Sequence, residues 1–273
     1  MAKLSGITLA LLFAFIIIAV PMPGVKAQET LIWSANVPST GQPITSPVLE
    51  AGIQYHIVAT EMFWYNRPAN LGADAYYYTT DPSDSWIWGN HFHWPAIPPY
   101  RSFLQIDGKD INWGPFSNGD TGHTYSIYLV GKGAAITFRI VDWIDHDYSN
   151  NDCHLPVRIY ELPREPKCRT IGFWKTHPDE WPVSSLTIGD RTYNKDQLLG
   201  ILRKANAKDA TYMLAAQLIA AKLNDLSDAY THPAILDADA FLITHPLGSN
   251  PRGLDRDYAL MLKDALDYFN NGR

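Results

Sequence analysis

The sequence predicts two modules in series: an all-β sandwich of about eight strands over residues 28–162, and a small all-α domain of four helices over residues 170–273. Three observations carry that expectation. Between residues 31 and 160, short runs alternate apolar with polar residues and are punctuated by Gly and Pro, the period-two signature of half-buried strands. From Asn194 onward apolar residues recur instead at helical spacing. Between the two lies ELPREPK (161–167), with two prolines and four charges in seven residues, and 163–169 is read as the linker. With 273 residues, 46% hydrophobic and 18% charged, the chain has room for two modest cores. A net charge of −6 without a basic patch argues against a nucleic-acid partner.

Residues 1–27 read as a secretory signal. Lys3 provides the positive start, 7–20 (ITLALLFAFIIIAV) is a fourteen-residue apolar run, and Val25-Lys26-Ala27 offers a small-x-small cleavage site. The run is short of the ~20 residues a spanning helix needs, and no second run of this kind follows. The mature chain is therefore expected to be secreted or displayed at the cell surface, with no membrane span after cleavage.

In the β module, 31–33 opens the first strand and Gly41-Gln42-Pro43 turns it. Residues 53–60 (IQYHIVAT) place Ile53, Tyr55, Ile57 and Ala59 on one face. A strand is expected over 73–79, and 103–106 is a short one ended by Asp107-Gly108, a hairpin signal. Residues 124–130 alternate, Gly131-Lys132-Gly133 turns, and 135–141 follows; 155–160 is the last strand. Two long irregular loops interrupt this pattern, 62–72 and the aromatic-rich 81–100. They contain the candidate ligand-binding residues Trp64, His91, His93 and Trp94. Indole faces stack on the C–H face of a sugar ring, and imidazoles supply directional hydrogen bonds. His91 and His93 also share a strand face, which suits Zn²⁺ or Cu²⁺ with His123, His146 or His154 as a third ligand, although ordinary surface histidines are the commoner explanation.

The helical module is expected to hold helices at 196–205, begun by a capping box from Asn194 to Gln197, at 208–226, at 234–243 after His232-Pro233, and at 256–269 capped by Asp255. Its opening segment, GFWKTHPDEWP (172–182), together with Thr192-Tyr193 and AQLIAAKLN (216–224), resembles a helical module that recurs at the ends of prokaryotic secreted and cell-surface proteins. That resemblance implies no activity. The expected roles are structural: Trp174 and Trp181 plug the bundle, His177-Pro178 caps a turn, and Gln217 hydrogen-bonds the opening segment.

The stretch 138–160, FRIVDWIDHDYSNNDCHLPVRIY, runs from strand to strand through a loop holding Asp142, Asp145, Asp147, Asn150, Asn151 and Asp152. Four carboxylates and two amides within eleven residues suit Ca²⁺, which takes six to eight oxygen ligands; the alternative is a solvated acidic turn. The spacing lacks the Gly and distant Glu of an EF-hand. The candidate metal ligands are Asp142, Asp145, Asp147, Asn150 and Asn151. The pattern F-x-I-x-D…Y-x-N-N-x-x-x-L-x-V-x-I resembles the last strand pair of the calcium-dependent galactophilic lectin family, small bacterial β-sandwiches. The resemblance implies that an acidic residue, the Asn150-Asn151 pair and a backbone carbonyl from an earlier loop hold Ca²⁺, and that the ion binds two sugar hydroxyls. The match departs in its extra acidic residues and in Cys153, which stands where a glycine is expected. Cys153 and Cys168 are the only cysteines, and in an exported chain they are expected to form a disulfide worth roughly 3 kcal/mol.

The function expected from these features is non-catalytic, calcium-dependent carbohydrate binding or cell-surface adhesion, with an extracellular glycan or cell-surface protein as partner. The alternative is a structural component of an extracellular layer, sheath or filament in which calcium only stiffens the loop and copies associate. No G-x-S-x-G, H-E-x-x-H or P-loop pattern suggests an enzyme.

Overall fold

The alternating stretches fold as antiparallel strands. A computed structural model of the chain describes residues 28–78, 102–114, 123–143, 146–164, 167–205, 208–227 and 229–272. The segment 1–27, the loop bearing His91, His93 and Trp94, and Asp145 lie outside the described residues. The strands are β1 (Thr30–Pro38), β2 (Ile44–Thr45), β3 (Gln54–Ala59), β4 (Phe63–Asn66), β5 (Leu71–Ala73), β6 (Leu104–Ile106), β7 (Tyr125–Val130), β8 (Thr137–Ile140) and β9 (His154–Glu161). One four-stranded sheet has the order β1-β9-β3-β7 and a three-stranded sheet the order β2-β8-β6; β4 and β5 form a separate hairpin. Val37, Tyr55, Ile57, Leu155 and Ile159 from the first sheet share a buried core with Leu104, Ile106, Phe138 and Ile140 from the second.

The strand expected over 73–79 stops at Ala73. Asp74 is the reason. Its Oδ1 accepts from the backbone N–H groups of Tyr76 and Tyr77 at 2.7 and 2.6 Å, which bends the chain into a turn. Its other oxygen accepts from Tyr125 Oη at 2.7 Å and meets His123 Nδ1 at 2.9 Å, so this fully buried carboxylate is satisfied as a structural anchor.

Five helices follow: α1 (Ile171–Thr176), α2 (Lys195–Leu202), α3 (Ala210–Leu226), α4 (Ala234–Thr244) and α5 (Gly253–Asn270). Between α1 and α2 lies a hairpin of β10 (Ser185–Ile188) and β11 (Arg191–Asn194). The expected all-α domain of four helices is thus corrected to five helices and a hairpin. Four-residue strands are too short for alternation to announce them. The signal that was present is Gly189, at φ 62°, the residue a type II′ two-residue turn demands at its first central position. The hairpin is held to the bundle by Gly189 N–H donating to Asp239 at 2.8 Å, and by Lys222, which donates to the carbonyl of Thr187 and pairs with Asp239.

The capping box at Asn194 and Gln197 forms as expected, with bonds of 3.0 and 2.9 Å in the two directions. The last helix begins earlier than expected, at Gly253 with Arg252 as N-cap, and Asp255 falls in its first turn. Two helices end in the same six-residue device, FWKTHP (173–178) and FLITHP (241–246). In each, the Thr hydroxyl and the His backbone N–H both donate to the Phe carbonyl, and the His ring stacks on the Phe ring, at 4.4 Å for Phe173–His177 and 4.2 Å for Phe241–His245. The proline then prevents the helix from continuing. His177 is therefore a helix terminator, and Trp174 and Trp181 are buried plugs of the bundle.

The helices cover the outer face of the four-stranded sheet. Tyr55, Ile57 and Ala59 face the β core, while Gln54 and His56 on the opposite face of β3 are also buried. Tyr128 on β7 joins the helical core and donates to Asp237 at 2.7 Å, and Gln54 Nε2 donates to the carbonyl of Ala265 at 3.3 Å. Asn112 Nδ2 reaches the carbonyl of Leu254 at 2.7 Å.

Candidate functional site

The loop between β8 and β9 is built against two earlier segments. Ser39 N–H donates to the carbonyl of Cys153 at 3.3 Å, and Asn151 Nδ2 donates back to the carbonyl of Ser39 at 2.9 Å. The turn after β1 is thereby tied to the second half of the loop. On the other side Trp64 and Asp152 exchange backbone hydrogen bonds at 3.0 Å, and Arg67 N–H donates to the carbonyl of Asn150 at 2.9 Å. The β4–β5 hairpin thus flanks the Asn150-Asn151 pair.

Tyr148, the tyrosine of the Y-x-N-N pattern, closes the base of the loop, a role that the sequence does not state. Its hydroxyl meets the backbone N–H of Asp142 at 3.3 Å. Its ring lies so close to Gly41 that a Cβ there would stand 2.7 Å from the ring, and Gly41 has φ 75°. Glycine is needed at this position both for the close approach and for the backbone conformation. Two non-glycine residues of the loop have left-handed backbones, His146 at φ 59° and, at its last position, Cys153 at φ 71°. Cys153 therefore adopts the conformation that glycine favours, at the position where the lectin resemblance expects glycine.

The oxygen donors divide into two groups. Asp142 is fully buried and Asn150 and Asn151 are half-buried; Asp142 Oδ2, Asn150 Oδ1 and Asn151 Oδ1 are shielded from solvent and accept no hydrogen bond. Asp142 and Asn150 make other interactions besides. Asn151 uses its amide nitrogen on Ser39, which fixes the side chain and turns its orphaned oxygen into a preoriented donor. Burying a bare acceptor costs about 1–3 kcal/mol, a cost that a hard cation with oxygen ligands removes. The donor chemistry fits Ca²⁺.

The second group is exposed. Asp147 Oδ1 accepts from Ser149 N–H and Oγ at 3.0 and 2.6 Å, an Asx turn that shapes the loop's crest. Asp152 takes its own neighbour's N–H at 2.8 Å and lies 3.6 Å from the Arg67 guanidinium. Among the described residues, no three His, Cys, Asp or Glu side chains converge as a metal-binding group; the buried donors here are one carboxylate and two amides.

Trp64 is half-buried, with the Arg67 guanidinium 4.8 Å above its ring. Phe63 and Tyr65, its neighbours in β4, are buried in the core, so the indole lies on the outward face of the strand, next to the loop. The three histidines considered as partners for His91 and His93 are dispersed: His123 is held by Asp74, His146 is exposed in the loop, and His154 pairs with Pro38 at the start of β9.

The expected Cys153–Cys168 bridge is not formed. Cys153 precedes the eight-residue strand β9, and Cys168 follows that strand and packs against the helical core. Gln217 does not bond the opening segment either. It donates to Asp267 on α5 at 2.6 Å and accepts from Asn270 at 2.8 Å. Asn224, two turns on, has that role: its Oδ1 accepts from Arg169 N–H at 2.8 Å and Trp174 Nε1 at 3.1 Å, and its Nδ2 donates to the carbonyl of Arg169 at 2.9 Å.

No protein-family model, curated protein or solved structure matches the chain.

Proposed function

We propose that the β region is a lectin-like sandwich in an exported, non-catalytic chain, and that it binds carbohydrate at the cell surface through a calcium ion seated in the 142–153 loop. Asp142, Asn150 and Asn151 would hold the ion, with Asp145 and Asp147 as further carboxylates of the loop. The ion supplies coordination positions to which two neighbouring sugar hydroxyls bind. The chain's own contribution is to hold the donors apart and in place: Tyr148 closes the base, Ser39 anchors Asn151, and the β4–β5 hairpin braces Asn150. Trp64, half-buried beside Asp152, presents the apolar ring face that sugar C–H groups favour. His91, His93 and Trp94 belong to the same proposal as sugar-contacting residues.

The observation that carries this reading is the divided state of Asn151. Its nitrogen is committed to Ser39 at 2.9 Å, while its buried oxygen accepts nothing. A side chain serving only to pin the loop has no need to bury that acceptor. The test is calcium titration by calorimetry together with a glycan-array screen, each repeated with Asn151→Ala and with chelator. The expected result is saturable calcium binding, calcium-dependent glycan binding, and loss of both in the variant. Calcium binding without any glycan would favour the structural surface-component reading, and glycan binding that persists in chelator would overturn the mechanism.

A further inference from the structure

We infer that the helical part carries a second binding site, a pocket for an oxyanion (a carboxylate or a phosphate group), and that Lys175 of the FWKTHP segment is one of its ligand-contacting residues. The inference is independent of the calcium reading.

A pocket of about 450 Å³ opens between the start of α1, the end of α2, and α3 and α5. That volume is in the range of small-ligand sites. Its walls include Lys175, Arg203 and Lys263 against one carboxylate, Asp267, in a chain whose net charge is −6. A concave site with such a local excess of cations focuses a positive potential and attracts anions. Only one of the three cations is paired among the described residues. Lys263 pairs with Asp264, but neither Lys175 nor Arg203 joins an ion pair among the described residues. Asp267, by contrast, is occupied: Gln217 Nε2 donates to its Oδ1 at 2.6 Å and Asn271 Nδ2 lies 3.2 Å from the same oxygen. Gln217 is itself buried and held by Asn270 at 2.8 Å, so the polar floor of the pocket is preorganised.

The opening segment supplies the second line of argument. Phe173, Thr176 and His177 make the helix terminator, Trp174 bonds Asn224, and Trp181 Nε1 donates to the carbonyl of Trp174 at 2.8 Å. Among the described residues, Lys175 alone of 173–177 has no such partner, and it is the one of the five that lines the pocket. Structural duty accounts for its neighbours and leaves the lysine to a ligand.

The test is calorimetric titration of the full chain in calcium-free, low-salt buffer with two probes, inorganic phosphate and glucuronate. At least one is expected to bind with a Kd of roughly 1 mM, weakening as salt rises. The double variant Lys175→Ala/Arg203→Ala is expected to weaken that binding at least about tenfold, whereas Lys208→Ala, outside the pocket, leaves it unchanged. Both substituted pocket side chains are solvent-exposed, and an unchanged thermal midpoint verifies that the double variant is folded. Asp267→Asn, which removes the opposing charge, is expected to tighten binding. The probe that binds identifies the source of the oxyanion. Absence of binding by both, or equal binding by wild type and double variant, overturns the proposal.

Discussion

Gln54 on β3 and His232 before α4, 178 positions apart in the chain, meet side chain to side chain at 3.1 Å in a buried seam between sheet and helices. His232 Nδ1 accepts from Ala234 N–H at 3.1 Å, so Nε2 carries the proton toward Gln54 Oε1. The ring lies among Tyr128, Tyr230 and Phe269. Burial, and secondarily the neighbouring His56, push its pKa down to about 3.

The seam should therefore weaken in acid. The folded-state pKa lies below the unfolded value of about 6.5, so the unfolded chain binds the extra proton first. The histidine's contribution is intact above pH ~6.5 and declines toward pH ~3, by up to about 1.4 kcal/mol per unit. Urea unfolding followed from about pH 7.5 to 4.5 checks this. His232→Gln is expected to flatten the pH dependence; an equally steep slope in the variant would assign it to other groups.

Asn224→Ala is expected to destabilise the helical part by about 2–4 kcal/mol, because it strips the Trp174 indole and both backbone groups of Arg169 of their partner at once. Trp174 fluorescence during thermal unfolding reports the loss. An effect within about 0.5 kcal/mol would show that water replaces the amide fully.

Cys153→Gly should raise stability by about 1 kcal/mol, since φ 71° strains any residue with a Cβ but not glycine. The gain is read as an upward shift of the unfolding midpoint under reducing conditions. A loss would mean that the sulfur makes contacts worth more than the strain.

Gly41→Ala is expected to cost about 2 kcal/mol or more and to lower calcium affinity with it, although residue 41 carries no candidate ligand. The added carbon meets the Tyr148 ring, which must move away from the backbone of Asp142. Asp147→Ala, by contrast, should reshape the exposed crest and affect calcium less than Asp142→Asn does. Terbium luminescence measures all three variants, and equal losses for Asp147 and Asp142 would contradict the division of donors drawn above.

Much of this was legible in local sequence. Strand β3 announces its inner face through Tyr55, Ile57 and Ala59, and Asn194 with Gln197 announces the start of α2, because period and capping depend on residues within one turn or pleat of each other. Asn150 and Asn151 stood out through their pairing in a polar loop. The contacts of Tyr148, Ser39 and Gly41 did not, since nothing in a tyrosine or a glycine states which distant segment it will touch. Gln217 and Asn224 are indistinguishable in the sequence for the same reason: both are polar residues in an apolar helix, and only the packing of α1 and α5 decides which one faces which.

By itself, then, the sequence determined the strands and helices with clear periods, the change of character near residue 161, and a loop rich in hard oxygen donors. These are matters of nearest-neighbour chemistry, expressed wherever the chain folds. Only the tertiary structure decided that Cys153 and Cys168 are left unbridged, that Gln54 and His56 are buried on a second face, that three of the loop's oxygens are withdrawn from solvent while Asp147 and Asp152 remain at its surface, and that Lys175 lines a pocket. Those outcomes depend on which surfaces exclude water together, and that is a property of pairs of segments far apart in the chain.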